Sequence, residues 1–290
     1  MTKTIQPRRS VLYMPASNAR AIEKAKTLPA DCIILDLEDA VAPAMKASAR
    51  EQAIAAVQAG GFGARELAIR INAKDTAWFQ ADLAAACLSG VHAVVLPKVE
   101  SEETVQQVAD QLPQGMQVWA MIETPRGVQQ VDNIALAHSR LSALVMGTSD
   151  LAKELRVPHR VDRLGFLYAL SRTVNAARVA GIDVIDGVCL DLEDATAFLA
   201  SCEHGRALGF DGKSLIHPKQ IETANDVFAP SAETVLQAQR IVACWQAAVA
   251  AGQGVAVLDG KLVENLHAEE AERTLTLTSA IASRAAQCNE

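Results

Sequence analysis

Apolar residues along this chain come in short unbroken runs separated by longer stretches in which they recur every three to four positions. The runs at residues 10–14, 32–36, 66–72, 91–97, 116–122, 142–146, 182–187 and 209–216 are rich in Val, Ile, Leu and Ala, the pattern of strands buried on both faces. Between them the helical period predicts helices over about 18–27, 46–59, 78–88, 102–111, 127–137, 162–180 and 194–208. Eight buried strands joined by helical crossovers form a parallel sheet covered on its outside. Such a sheet closes most simply as a (β/α)8 TIM barrel, with an open doubly wound sheet as the alternative.

Two further helical patterns, over 219–228 and 232–251, follow the eighth strand and run into the flexible break Gly252-Gln253-Gly254. Beyond it lie a short β-like run, the turn signal Asp259-Gly260 and a last helix from about His267. A barrel needs no such tail. The expected division is therefore a barrel over 1–229 and a C-terminal helical extension over 230–290, serving as a lid or an arm exchanged between subunits, or else as an extra outer layer.

Half of the 290 residues are apolar, enough for a sizeable core, and the net charge of −7 with dispersed cations argues against nucleic acid as a partner. The polar N-terminus lacks the apolar core of a signal peptide, and no run reaches the ~18 residues of a membrane helix, so a cytoplasmic protein is expected. Cys32, Cys87, Cys189, Cys202, Cys244 and Cys288 include no closely spaced pair and read as reduced fillers rather than zinc ligands or disulfides. Gly60-Gly61-Phe62-Gly63 follows a helix pattern, as a surface turn does, and is no phosphate cradle.

A barrel gathers the residues just past its strand C-termini on one face. Here these are Asp36, Glu38 and Asp39 after strand two, Arg70 and Asn72 at strand three, and Lys98 after strand four. Glu123 follows strand five, Ser149 and Asp150 strand six and Asp186 strand seven, with Lys213 and His217 at strand eight. Glu123 ends the run Val118-Trp119-Ala120-Met121-Ile122, and Pro125 is placed to open the next helix. A carboxylate leaving a buried strand needs a partner, because an unpaired charge there costs several kcal/mol or neutralises itself.

Several carboxylates on one rim repel unless a cation collects them, and oxygen ligands without His or Cys favour a hard ion such as Mg2+. Glu123 and Asp150, on adjacent strands, are the expected direct ligands, with Glu38 and Asp39 holding bound water or orienting the site. The plainer reading makes Asp150 a helix cap for residues 151–155. Arg70 suits a carboxylate or developing oxyanion, or equally a salt bridge to Asp36 or Glu38. Lys98 and Lys213 sit beside polar sequence, where ion pairs or phosphate contacts fit better than a Schiff base. No set of histidines makes a ligand cluster, and only His217 lies near the rim.

At these residues the chain resembles the citrate lyase β-subunit-like branch of the HpcH/HpaI aldolase family. The likeness runs through Arg9-Ser10-Val11-Leu12-Tyr13-Met14-Pro15, Leu35-Asp36-Leu37-Glu38-Asp39-Ala40-Val41 with Lys46 and Arg50, and Arg70-Ile71-Asn72. It continues through Leu96-Pro97-Lys98-Val99-Glu100, Ile122-Glu123-Thr124, Gly147-Thr148-Ser149-Asp150-Leu151, the segment from Gly209 to Pro218, and Asp259-Gly260-Lys261. The resemblance implies a TIM barrel and Mg2+ on Glu123 and Asp150. It also implies a substrate-contacting Arg70, the acidic pair Glu38 and Asp39, and a homotrimer or hexamer in which the C-terminal segment completes a neighbour's site.

The implied reaction is carbon–carbon cleavage of a 3-hydroxy-3-carboxyacyl thioester, such as a malyl, citramalyl or citryl thioester of CoA or an acyl-carrier protein, with citrate-lyase-type partner subunits conceivable. Glu264 stands where the family typically has the aspartate thought to act as acid or base. Ala16 stands where a glycine usually follows the proline. The alternatives are a metal-dependent aldolase on free pyruvate-type substrates, a lysine-dependent aldolase, a malyl-CoA thioesterase, and a non-catalytic scaffold subunit.

Overall fold

A computed structural model describes residues 5–287. These fall into two compact units, Arg8–Phe228 and a second formed by residues 5–7 with the segment from Ala229 onward.

In the larger unit eight parallel strands close into a barrel in sequence order: β1 (Ser10–Pro15), β2 (Cys32–Asp36), β3 (Glu66–Arg70), β4 (Ala93–Leu96), β5 (Gln117–Ile122), β6 (Leu141–Met146), β7 (Asp183–Asp186) and β8 (Gly212–Leu215). Closure is made by β1 on β8, with Ser10 opposite Lys213 and Leu12 opposite Leu215. The helices are α1 (Ala19–Ala25), α2 (Lys46–Ala59), α3 (Phe79–Ser89), α4 (Glu102–Ala109), α5 (Pro125–Ala135), α6 (Thr148–Leu155), α7 (Leu167–Ala180), α8 (Ala195–Leu208) and α9 (Ile221–Phe228). Every predicted strand is present, as the (β/α)8 expectation requires.

Three differences have local causes. The strand expected over 66–72 stops at Arg70, because the Asn72 amide and side chain turn to Asp82 Oδ2, at 3.1 and 2.6 Å. The helix expected over 162–180 is split, with a 3-10 turn Leu164–Phe166 ahead of α7, since Arg163 adopts φ 54. Helix α6 contains the 151–155 turn expected after Asp150 but starts three residues earlier, so Gly147 is its N-cap and Asp150 lies within its first turn rather than capping it.

Successive strand residues alternate between two cores. Ile33, Leu35, Ile69 and Val94 belong to the large core between sheet and helices. Val11, Ile34, Ala68, Val95, Trp119, Met121 and Val145 fill the barrel interior. Carried two residues further toward the C-terminal rim, the interior parity reaches Tyr13, Asp36, Arg70, Glu123 and Gly147. The alternation that makes the core therefore also aims these five into the barrel mouth. At the opposite end Arg8 pairs with Glu66 and Asp183 and lies over the Trp119 ring, its guanidinium 5.0 Å from the ring centre.

The second unit contains helix α10 (Ala232–Ala250), the antiparallel hairpin β9 (Ala256–Leu258) and β10 (Lys261–Val263), and helix α11 (Asn265–Gln287). Asp259 takes φ 51 in the two-residue turn, a conformation that Asp tolerates better than most residues. Among the described residues no helix is long and apolar enough to cross a membrane. Cys32, Cys87, Cys189, Cys202 and Cys244 form no disulfide, while Cys288 lies outside the described residues.

Candidate active site

A cleft of about 330 Å³ opens at the C-terminal ends of the strands, lined by Tyr13, Asp36, Asp39, Arg70, Met121, Glu123, Gly147 and Asp150 among others. Its fixed point is Arg70. Nε and Nη2 donate to the two oxygens of Asp36, each at 2.7 Å, while Nη1 lies 3.0 Å from Glu38 Oε2 and 3.6 Å from Asp39. The guanidinium also sits over the Tyr13 ring, 4.8 Å from its centre. Asp36 in turn accepts the backbone N–H groups of Glu38 and Ala40 at 2.9 and 3.2 Å. Burial alone would raise the Asp36 carboxyl, but Arg70 outweighs it and holds the group below the usual carboxylate range. The salt-bridge reading of Arg70 is thus correct as geometry, and the bridge aims the guanidinium into the cleft.

Glu123 is buried, and burial together with the nearby Glu38 pushes its carboxyl up to about 7. Its Oε1 accepts the backbone N–H of Lys98 at 2.7 Å, and its Oε2 lies against Gly147. Lys98 Nζ reaches Glu38 Oε1 at 2.7 Å and Asp150 Oδ2 at 3.2 Å. Burial raises Glu38 as well, against the opposing pull of Arg70 and Lys98. Asp39 is exposed. Asp150 sits in the first turn of α6, where a carboxylate favours the helix N-terminus, and it lines the cleft.

Most of the remaining rim residues make structural contacts. Asn72 donates to Leu37 O at 3.0 Å, and His217 Nδ1 accepts Lys219 N at 3.1 Å to cap a 3-10 turn. Lys213 Nζ is buried against Asp186 Oδ2 at 2.8 Å and Gly187 O at 2.7 Å, and Arg163 binds the same Asp186 carboxylate. Ser149 lines the cleft. Glu264 closes the hairpin of the second unit, its backbone N–H donating to His267 Nδ1 at 3.0 Å.

Among the described residues no three His, Cys, Asp or Glu side chains converge as a ready metal cluster. Two carboxylate oxygens, Glu38 Oε2 and Asp150 Oδ2, are nevertheless buried without a hydrogen bond, their neighbours Arg70 and Lys98 making ionic contacts only. Buried carboxylate oxygens left this way suit a hard cation that takes one or two protein oxygens and otherwise water; Asp150 is one of the two, and Glu123 lines the same cleft, so this donor set fits Mg2+.

Two residues enter the sequence reading only as members of motifs, with no role given to them. Tyr13 looks like any strand residue until its parity with Val11 is followed to the rim. Gly147 is singled out only by space, since a Cβ there would lie 2.2 Å from Glu123 Oε2.

A closed parallel barrel with charged groups converging at the C-terminal ends of its strands is the architecture of a barrel enzyme. The chain belongs to the HpcH/HpaI aldolase/citrate lyase family, whose model matches residues 9–218. It is 47% identical over 283 residues to a (3S)-malyl-CoA thioesterase of Cereibacter sphaeroides, covering 98% of this chain and 99% of the relative. It is 34% identical over 267 residues to the citrate lyase subunit beta of Escherichia coli, covering 89% and 88%. Among solved structures it matches the Mycobacterium tuberculosis protein CitE in complex with magnesium, acetoacetate and coenzyme A. There the TM-score is 0.75 with 30% identity, covering 94% of this chain and 97% of that one.

Proposed function

We propose that this chain is a Mg2+-dependent enzyme acting on a 3-hydroxy-3-carboxyacyl thioester of the malyl type, and that it hydrolyses the thioester bond. The observation that carries the reading is the meeting, in one cleft, of a locked guanidinium, Arg70, with a carboxylate pair fit for a cation, Glu123 and Asp150. The choice of hydrolysis is supported by the near full-length likeness to the malyl-CoA thioesterase.

Glu123 and Asp150 would hold Mg2+, which when bound supplies Lewis-acid polarisation of substrate oxygens. Arg70 meets the negative charge that develops on the thioester oxygen as water adds to the carbonyl carbon. Asp36 fixes the fork before substrate arrives, so little reorganisation is needed. Glu38 and Asp39 orient water at the rim, and Met121, Met146, Val188 and Leu190 give the cleft an apolar wall. Water contributes its oxygen to the acyl carbon and its proton to the departing thiolate, so the products are a free hydroxy acid and a thiol.

The second reading is the lyase, supported by the citrate lyase subunit beta relatives. In it the substrate hydroxyl gives its proton to water as the Cα–Cβ bond breaks to the oxo acid, Arg70 stabilises the enolate of the acyl thioester, and Glu264, in the segment that the resemblance has completing a neighbour's site, gives that enolate carbon a proton. The homotrimer implied by the resemblance belongs to the same proposal and is checked by light scattering.

Incubating the protein with (3S)-malyl-CoA, with Mg2+ or after chelation, and identifying products by mass spectrometry separates the readings. Malate and free CoA, formed only with Mg2+, are expected. Glyoxylate and acetyl-CoA instead would refute hydrolysis in favour of the lyase, and equal rates after chelation would refute the metal's role.

A further inference from the structure

Lys98 ends the run Leu96-Pro97-Lys98 at the mouth of the barrel and adopts φ 50, in the left-handed region where a side chain with a Cβ is crowded. Backbone strain of this kind gathers at functional sites and persists only where its surroundings enforce it. Here the strained turn does two separable things. It delivers the Lys98 backbone N–H to Glu123 Oε1 at 2.7 Å, a contact that does not use the lysine side chain. It also sends the side chain back across the rim, so that Nζ sits 2.7 Å from Glu38 Oε1 and 3.2 Å from Asp150 Oδ2.

The two side-chain contacts are unequal. Glu38 is hydrogen-bonded to the ammonium, whereas Asp150 Oδ2 has no hydrogen bond and is held by charge alone. The Lys98 side chain is 39% exposed, against 8% for Glu38 and 31% for Asp150. It therefore has a way into solvent that strands no buried charge. A divalent ion at Asp150 carries twice the charge of the ammonium, and at coordination distance its attraction to the carboxylate exceeds that of a lysine 3.2 Å away.

We propose that Lys98 is a tethered counter-cation of this carboxylate cluster. Its ammonium holds Asp150 and Glu38 together while no divalent ion is bound, and it must leave Asp150 for one to bind, so Lys98 sets the cation affinity of the site. The inference rests on the reading of Glu123 and Asp150 as the ion's ligands. Lys98 acts on the cation through those ligands and is a positioning residue.

The test is titration of substrate-free, metal-free protein with Mn2+, followed by electron paramagnetic resonance and by competition with Mg2+, at fixed pH and ionic strength. Two charge-removing variants are used: Lys98→Gly, which suits φ 50 and keeps the N–H to Glu123, and Lys98→Met, which keeps the stem. Both are expected to bind Mn2+ at least about tenfold more tightly, the scale of a removed close like charge, while Lys98→Arg stays near the parent. In chelator Lys98→Met unfolds at lower denaturant than the parent, and the gap closes at saturating Mn2+. Unchanged or weaker Mn2+ binding in both charge-removing variants overturns the proposal. Asp150→Asn separates this failure from that of the underlying reading. If the parent binds no ion, or Asp150→Asn binds as the parent does, the assignment of ligands fails and the role of Lys98 falls with it.

Discussion

Replacing Gly147 by alanine tests where Glu123 must stand. Gly147 takes φ −100, a conformation open to any residue, so the cost is one of space rather than backbone strain. A Cβ there would lie 2.2 Å from Glu123 Oε2 and 2.4 Å from Glu123 Cβ, whereas ordinary contact begins near 3.4 Å. The carboxylate oxygen could swing aside, but the Cβ moves only with β5, which is locked in register beside β6 with Ile122 opposite Met146. The neighbours must therefore separate by about an ångström, an overpacking that costs about 1–3 kcal/mol. On the proposed reading, displacing the carboxylate assigned to the metal by that much is expected to lower kcat/KM for malyl-CoA by roughly a hundredfold. The assay pairs urea unfolding with kcat/KM and Mg2+ affinity measured on the folded variant. If stability falls while kcat/KM and Mg2+ affinity stay at the parent's values, the placement of Glu123 in the chemistry is wrong.

The other outcomes concern Arg70, Glu264 and Asp186. Arg70→Met leaves Asp36 buried without its cation, so urea unfolding should show a loss of about 3–5 kcal/mol and turnover assays a fall in kcat of about a hundredfold to a thousandfold. Arg70→Lys should recover part of the stability but little activity, because an ammonium lacks the two-pronged fit to Asp36. On the lyase reading, Glu264→Gln lowers kcat for carbon–carbon cleavage by about 10²–10⁴ while the melting temperature holds, which a calorimetric scan beside the product assay checks. The last concerns acid. Burial alone would raise Asp186, but Lys213 and Arg163 outweigh it and hold its carboxyl below the usual range. The folded-state value then lies under the unfolded ~3.9, so this contribution is fully present above about pH 4 and is lost as pH falls through the folded value. Urea midpoints for Asp186→Asn should be lower at pH 7 and should fall less steeply than the parent's below about pH 4.

The barrel was legible because parallel strands buried on both faces must be apolar throughout, and eight runs as short as Cys32-Ile33-Ile34-Leu35, each followed by a helical period, fit strands better than buried helices. The rim was legible as a consequence, since closing the barrel puts Asp36, Arg70, Glu123 and Asp150 on one face whatever their distance in sequence. What escaped depends on quantities that composition does not carry. The sign of φ at Lys98 decides where its ammonium goes, and nothing in Leu-Pro-Lys-Val-Glu announces it. The room beside Glu123 decides that residue 147 is glycine. Arg163, which shares Asp186 with Lys213, lies in an irregular segment between α6 and α7 where no period points inward. Two lysines that looked alike in sequence consequently differ, Lys213 being fully enclosed in an ion pair and Lys98 half-exposed at the mouth.

The two candidate reactions ask nearly the same of this cleft. Water addition to the thioester carbon and cleavage of the Cα–Cβ bond both place negative charge on the thioester oxygen, and both gain from a guanidinium fixed in advance. Arg70 therefore cannot decide between them, and its substitution should depress both without changing their ratio. The same holds for Glu123 and Asp150, since as ligands of a cation they would serve to anchor a hydroxy acid in either reaction. The reactions part over protons. Cleavage must take one from the substrate hydroxyl and return one to the enolate carbon, whereas hydrolysis must take one from water and leave the carbon skeleton alone. On the proposed reading, the groups that move protons, Glu264 first among the candidates, are therefore where the choice between splitting the carbon–carbon bond and splitting the thioester lies, with the barrel, Arg70 and the carboxylate pair serving both.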